Sequence, residues 1–239
     1  MQVEEVKRLL EMVPMWTTFL VYRLVEATGS TFFIEQTNNL IIPKIGDSSY
    51  TIIVSLFVLR SFSCFIISYL YELLILKRWT KAKRRHAVLV RIGVGMACSI
   101  LCCIAACLVE VHRLKLIKKK NLQNDTDEPI SMSVFWLVPQ FFLIGLMEGL
   151  AEDGLDDFFS DQVTESMARY GPPINECALG IGKFLNVLCV FVFRSWFSQT
   201  INFSRLDKYY TMLGALSLGN LCFYCIVSTC VFAQTKPKE

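Results

Sequence analysis

Long apolar runs alternate with short charged stretches along this chain. No charged residue occurs between Ile92 and Val109, between Ile130 and Met147, or between Tyr209 and Phe232. Uncharged runs of about eighteen residues or more have the length and polarity of transmembrane helices. Three further runs have the same character but carry isolated charges. Residues 12–34 contain Arg23 and Glu26, residues 50–76 contain Arg60 and Glu72, and residues 173–193 contain Lys183. The run from Ile130 continues as a helix through Glu148 before an acidic flank ends it. Six spans are therefore expected, at about 12–34, 50–76, 92–109, 133–158, 173–193 and 209–232. Residues 1–11 alternate apolar Val3, Val6, Leu9 and Leu10 with charged neighbours, as in an amphipathic helix at a membrane surface. Residues 234–239 form a short polar tail. The expected fold class is an all-α membrane protein, a bundle of six transmembrane helices spanning residues 12–233.

Composition agrees with the pattern. Hydrophobic residues make up 54% and charged residues only 19%, against about a quarter charged in soluble domains. The net charge of +3 is small, and most basic residues serve as membrane flanks, so a nucleic-acid partner is not expected. No cleavable signal pattern opens the sequence. Of the ten cysteines, most lie inside apolar runs, where cysteine acts as a small hydrophobe. The C-x-x-C spacing of Cys222 and Cys225 lacks a second pair or a histidine to make a metal site. No catalytic constellation is visible, and an enzyme is not expected.

Six spans place both termini on one side. The stretch Lys77 to His86 holds six Lys and Arg residues and no acid, which by the positive-inside rule makes it cytoplasmic, with both termini. Lys118, Lys119 and Lys120 in the next loop argue the other way. Two glycosylation sequons, at Asn124 and Asn202, fall in loops that this topology places outside.

A charge in the hydrocarbon layer is costly and marks a candidate functional site. At about 1.5 Å of rise per residue, Glu148 lies ~13 Å and Lys183 ~15 Å from the inner ends of their spans. A Glu148–Lys183 ion pair is the expected arrangement, with Glu152, one turn away, as the competing partner. Arg23 and Glu26, three residues apart, share a helix face. Arg60 sits ten residues into the second span. Spans one, two, four and five would then line a polar path, while the charge-free third and sixth face lipid. The alternative is a set of structural ion pairs that hold the bundle together.

Several strings add a resemblance that covers almost the whole chain. Val3 to Lys7 (V-E-E-V-K), Pro14, Trp16 and Thr31 to Gln36 (T-F-F-I-E-Q) come first. Arg91 to Met96 (R-I-G-V-G-M) and Phe135 to Phe142 (F-W-L-V-P-Q-F-F) follow. Gly154-Leu155, Phe158 to Gln162 (F-F-S-D-Q), Met167 and Gly180 to Leu185 (G-I-G-K-F-L) complete the set. Together they resemble helices seven to eleven of the plant nitrate/peptide transporter family, proton-coupled oligopeptide transporters of the major facilitator superfamily. The resemblance implies one half, the C-terminal one, of such a transporter. It also implies alternating access between two bundles, a proton as coupling ion with no other cofactor, and a small solute such as a peptide or nitrate as substrate. Glu148 stands where the family has a tenth-helix glutamate of the substrate site. The sequence departs from the family pattern at Thr28, where relatives often have Gln, and at Thr164, a frequent Pro. Tyr71-Glu72 lacks the Arg and Pro of a Tyr-Asp-Arg…Pro string, and the proton-coupling E-x-x-E-R motif of the absent first bundle has no counterpart here.

The expected function is therefore the C-terminal half of a proton-coupled symporter, incomplete alone. Its candidate site residues are Glu148, Lys183, Glu26, Arg23, Arg60 and Glu152. Its partners are the lipid bilayer, a small solute, and a missing N-terminal bundle or a full-length relative. The alternative is a non-transporting membrane protein that associates with and regulates full-length relatives. Plasma membrane and vacuolar membrane both fit. A tilt toward zwitterionic solutes follows from Glu26 and Glu148, which repel a bare anion unless protonated or paired.

Overall fold

The structure is a computed structural model. It describes residues 2–38, 40–41, 49–76, 81–120, 130–162, 171–198 and 204–234. Six long helices account for most of them: α1 (Gln2–Gly29), α3 (Ser49–Tyr71), α4 (Lys81–Lys120), α5 (Val138–Gln162), α6 (Gly171–Val192) and α7 (Leu206–Gln234). The short helix α2 (Phe32–Asn38) follows α1. Between them, hydroxyl groups of the chain take up carbonyls freed at the end of α1. Thr28 Oγ1 donates to Leu24 O at 2.9 Å, and Ser30 Oγ and Thr31 Oγ1 donate to Ala27 O at 3.0 and 2.9 Å. Such back-bonding competes with the helix ladder and helps to end it. A π-helical turn, Glu72–Leu76, closes α3.

Four of the helical stretches are long and apolar enough to cross a membrane: Thr51–Leu74, Arg84–Lys119, Val134–Ser160 and Leu206–Cys230. α6 contributes a shorter apolar run, Gly180–Val192, and α1 carries Arg23 and Glu26 in its second half. The chain is thus an all-α membrane bundle. α5 packs against α3 on one side and α4 on the other, α4 also packs on α7, and α1 packs on α6 and α7. Polar side chains tie these seams. Tyr224 Oη donates to Leu89 O at 2.6 Å, Asn220 Nδ2 to Thr18 O at 2.7 Å, and Tyr209 Oη to Asn186 Oδ1 at 2.6 Å. Between helices in lipid, close packing and hydrogen bonds of this kind replace the hydrophobic drive that operates in water.

Two expectations change here. α4 runs for 40 residues, about 60 Å at ~1.5 Å per residue, well beyond the uncharged stretch that announced it. Nor does its lack of charge turn it toward lipid. Half of its most apolar window is buried, whereas only 11% of the corresponding window of α3 is. Lipid tails are as apolar as leucine side chains, so an apolar sequence places a helix in the membrane without saying which neighbour it meets.

Beyond the uncharged run, α4 carries a fully buried pair. Arg113 Nη2 donates to Glu110 Oε1 at 2.6 Å, and Gln36 Nε2 on α2 donates to Glu110 Oε2 at 2.7 Å. At the same end of the bundle, two short strands pair in parallel, β1 (Leu40–Ile41) with β2 (Ile130–Ser133). Leu40 lies opposite Ile130. This clasp joins the chain after α2 to the chain before α5. Asn124 and Asn202 lie outside the described residues.

Candidate functional site

Five charged side chains from α1, α3 and α5 form one network. Arg23 Nη1 donates to Glu152 Oε1 at 2.6 Å and reaches Glu26 Oε2 at 3.5 Å. Arg60 Nη2 donates to Glu26 Oε1 at 3.1 Å, and Arg60 Nε donates to Glu148 Oε2 at 3.0 Å. A second contact joins Arg60 Nη2 to Glu148 Oε1, so the Arg60–Glu148 pair is bidentate. Tyr22 Oη donates to Glu152 Oε1 at 3.2 Å. Glu26 is the bridge, since it receives both arginines. Three carboxylates thus face two guanidinium groups, leaving one formal negative charge in excess.

The local geometry has a simple origin. Gly145 and Gly149 lie four residues apart on α5, on either side of Glu148 in the sequence. A Cβ on Gly145 would collide with the Arg60 carbonyl and Ser63 Oγ, and one on Gly149 would strike Ile67, the Cys64 carbonyl and Ser68 Oγ. The two glycines let α3 approach α5 at backbone distance, the small-xxx-small packing common between membrane helices. That approach sets the Arg60 backbone against one turn of α5 and its guanidinium against Glu148.

Lys183 is not part of the network. It is exposed on α6, and among the described residues no ion pair joins it to Glu148. The adjacent Gly182 explains why. A Cβ there would collide with the Arg23 side chain, so α6 turns Gly182 toward α1. One residue further is about 100° around a helix of 3.6 residues per turn, and this carries Lys183 away. The expected Glu148–Lys183 pair is replaced by Glu148–Arg60, and Glu152 pairs with Arg23 instead of competing for Lys183. Arg23 and Glu26 do share a face, but theirs is the longest contact in the network rather than a self-contained pair.

A second cluster lies further along α5. Arg91, near the start of α4, donates to Asp157 Oδ2 at 2.9 Å, to Asp153 Oδ2 at 3.1 Å and to Gly149 O at 2.5 Å. Its guanidinium carbon lies 4.1 Å from the ring centre of Tyr71. Ser68 Oγ also meets Asp153. This cluster borders a cavity of about 410 Å³ with Phe65, Tyr69 and Glu72 on its wall. Asp153 and Asp157 belong to the acidic flank expected to end this span. Their spacing of four residues on one helix face, with Gly149 four residues earlier, was the available signal.

The chain matches the family described as PTR2, the POT family, over residues 1–205. It is similar to proteins of Arabidopsis thaliana: 35% identical to Protein NRT1/ PTR FAMILY 5.7 over 95% of this chain and 39% of that protein. It is 34% identical to Protein NRT1/ PTR FAMILY 5.10 over 95% of this chain and 43% of that protein, and 32% identical to Protein NRT1/ PTR FAMILY 5.6 over its whole length and 42% of that protein. The chain therefore spans about two fifths of the length of these relatives. With its apolar helices, its charges gathered between them, and a family match over residues 1–205, the chain is a multi-pass membrane protein and belongs to the POT family.

Proposed function

We propose that this chain is the C-terminal six-helix bundle of a proton-coupled small-solute symporter, and that the Glu26–Arg60–Glu148 bridge is its share of the solute and proton site. The observation that carries the reading is the charge count: three carboxylates and two guanidinium groups in one partly buried network. Removing charge from water is expensive, and unbalanced charge more so. A proton on one carboxylate, or a cationic group of a solute, balances the count. Arriving at Glu148, either would weaken its hold on Arg60 and free that guanidinium for an anionic group. The site thus suits a solute with both charges, such as a peptide, whose ammonium goes to a carboxylate and whose carboxylate goes to Arg60. Nitrate would use Arg60 alone and would need the proton to come with it. Arg23 and Glu152 hold the other end of the network in place.

Alternating access rocks one bundle against another around a midplane site, so transport requires a facing N-terminal bundle. Plasma and vacuolar membranes both remain compatible locations.

The test is a fusion of this bundle to the N-terminal half of a relative, with uptake of a labelled dipeptide, and of nitrate, driven by an inward proton gradient. Glu148→Gln is expected to lower proton-driven uptake at least tenfold while solute exchange at equal pH persists. Unchanged proton-driven uptake in that variant would show the role given to Glu148 to be wrong.

A further inference from the structure

The seam between α4 and α7 contributes none of the five network residues, yet it carries a second built surface. An apolar groove of about 430 Å³ runs along it, walled by Ile104 and Leu108 on α4 and Leu218 on α7, with Cys103, Gly214 and Ala215 as its low floor. Ile104, Leu108 and Leu218 are each about half exposed or more, at 50%, 66% and 55%. From Ile100 to Leu108 the groove follows nine residues of α4, a rise of about 12 Å. That is close to the hydrocarbon depth of one leaflet, ~15 Å.

The next turns of the same seam are basic. A pocket of about 220 Å³ is lined by Leu114, Lys115, Lys118, Arg205 and Asp207. Cys107 of the groove contacts this pocket's Asp207 through Sγ to Asp207 O at 3.7 Å, and meets Thr211 Oγ1 at 3.5 Å. Arg205 is engaged with Asp207 through two contacts of 3.0 Å. Lys115 and Lys118 are exposed, and among the described residues neither has an ion-pair partner. An apolar slot about 12 Å long, followed along the same helix by two lysines with no ion-pair partner among the described residues, has the polarity profile of an anionic lipid.

We propose that the α4–α7 seam binds an anionic phospholipid, its acyl chain lying against Ile104, Leu108 and Leu218 and its headgroup phosphate on Lys115 and Lys118. A zwitterionic lipid presents an outer cation to the same lysines and is disfavoured. A soluble anion leaves the groove unused. Each lysine near the membrane surface attracts an anionic headgroup by about 1 kcal/mol.

The full chain in maltoside micelles is titrated with dioleoyl phosphatidylglycerol, dioleoyl phosphatidylcholine or inorganic phosphate, following the thermal unfolding midpoint and bound lipid by native mass spectrometry. Phosphatidylglycerol is expected to raise the midpoint saturably and to be retained, as for any ligand that binds only the folded state. Phosphatidylcholine and phosphate are expected to do neither. Lys115→Ala and Lys118→Ala should each weaken phosphatidylglycerol about fivefold. Ala215→Phe, on an exposed position of the groove, should weaken it while the lipid-free midpoint holds. Equal shifts with both lipids, a shift with phosphate alone, or lysine variants that bind as tightly as the parent would each overturn the proposal.

Discussion

Glu26 receives both arginines of the network, so each partner's loss is felt by the others. Breaking a buried pair by removing one side typically costs about 3–5 kcal/mol, because the other charge stays behind. Arg60→Met is therefore expected to destabilise the bundle by about that amount, measured by thermal unfolding in detergent. Adding Glu148→Met to it should recover part of the loss, with a coupling of at least ~1 kcal/mol. Lys183→Ala should change stability by no more than ~0.5 kcal/mol, as for an exposed residue outside any network. The charges themselves were legible in the sequence because each interrupts an apolar run. Their pairing was not. Helix rise gives an expected height, whereas pairing also depends on the direction a residue faces, and Lys183 is turned away from the network by Gly182. The hydroxyl of Tyr22 on Glu152 left no sequence signal, since a tyrosine in an apolar run reads as core.

Between elements, the contact that matters most is α3 on α5. Gly149→Leu is expected to push the two helices apart and cost about 1–3 kcal/mol, as overpacking does. It should also loosen the Arg60–Glu148 pair. Arg60→Met placed on top of Gly149→Leu should then cost less than in the parent chain, and unfolding midpoints of the two series check this directly. That Gly145 and Gly149 stand four apart was visible in the sequence, but glycine pairs on a helix do not say which neighbour they admit. Six helices were legible, because each long apolar run has to fold so that its backbone groups are satisfied internally. The extent of α4 was not, since its ends lie in charged sequence that reads equally well as loop. The buried Glu110–Arg113 pair was hidden for the same reason, as it follows the last uncharged residue at once.

For the molecule as a whole, the β1–β2 clasp puts the connection after α2 and the connection before α5 at one end of the bundle. Residues 81–86 of the basic stretch open α4, at the opposite end of that helix from the clasp. With that stretch in the cytosol, expression in microsomes should add a glycan that Asn124→Gln removes, read as a glycosidase-sensitive mass shift. A cysteine introduced as Lys83→Cys should react with an impermeant thiol reagent only from the cytosolic face. The reverse pattern would invert the topology.

The Arg60–Glu148 pair joins residues 88 positions apart, and this separation has a meaning for how the chain is made. At about 5–20 residues per second, Arg60 joins the growing chain roughly 4–18 s before Glu148 does. In that interval Glu26, synthesised 34 positions ahead of Arg60, is the one carboxylate of the network already present that contacts it. Glu26 would then act as an escort that brings Arg60 into the bilayer, later handing it a second partner. Glu26→Gln should accordingly slow or misdirect membrane insertion of α3 in a translation-arrested nascent chain that ends before residue 148, where Glu148→Gln has no effect because the residue has not yet been made.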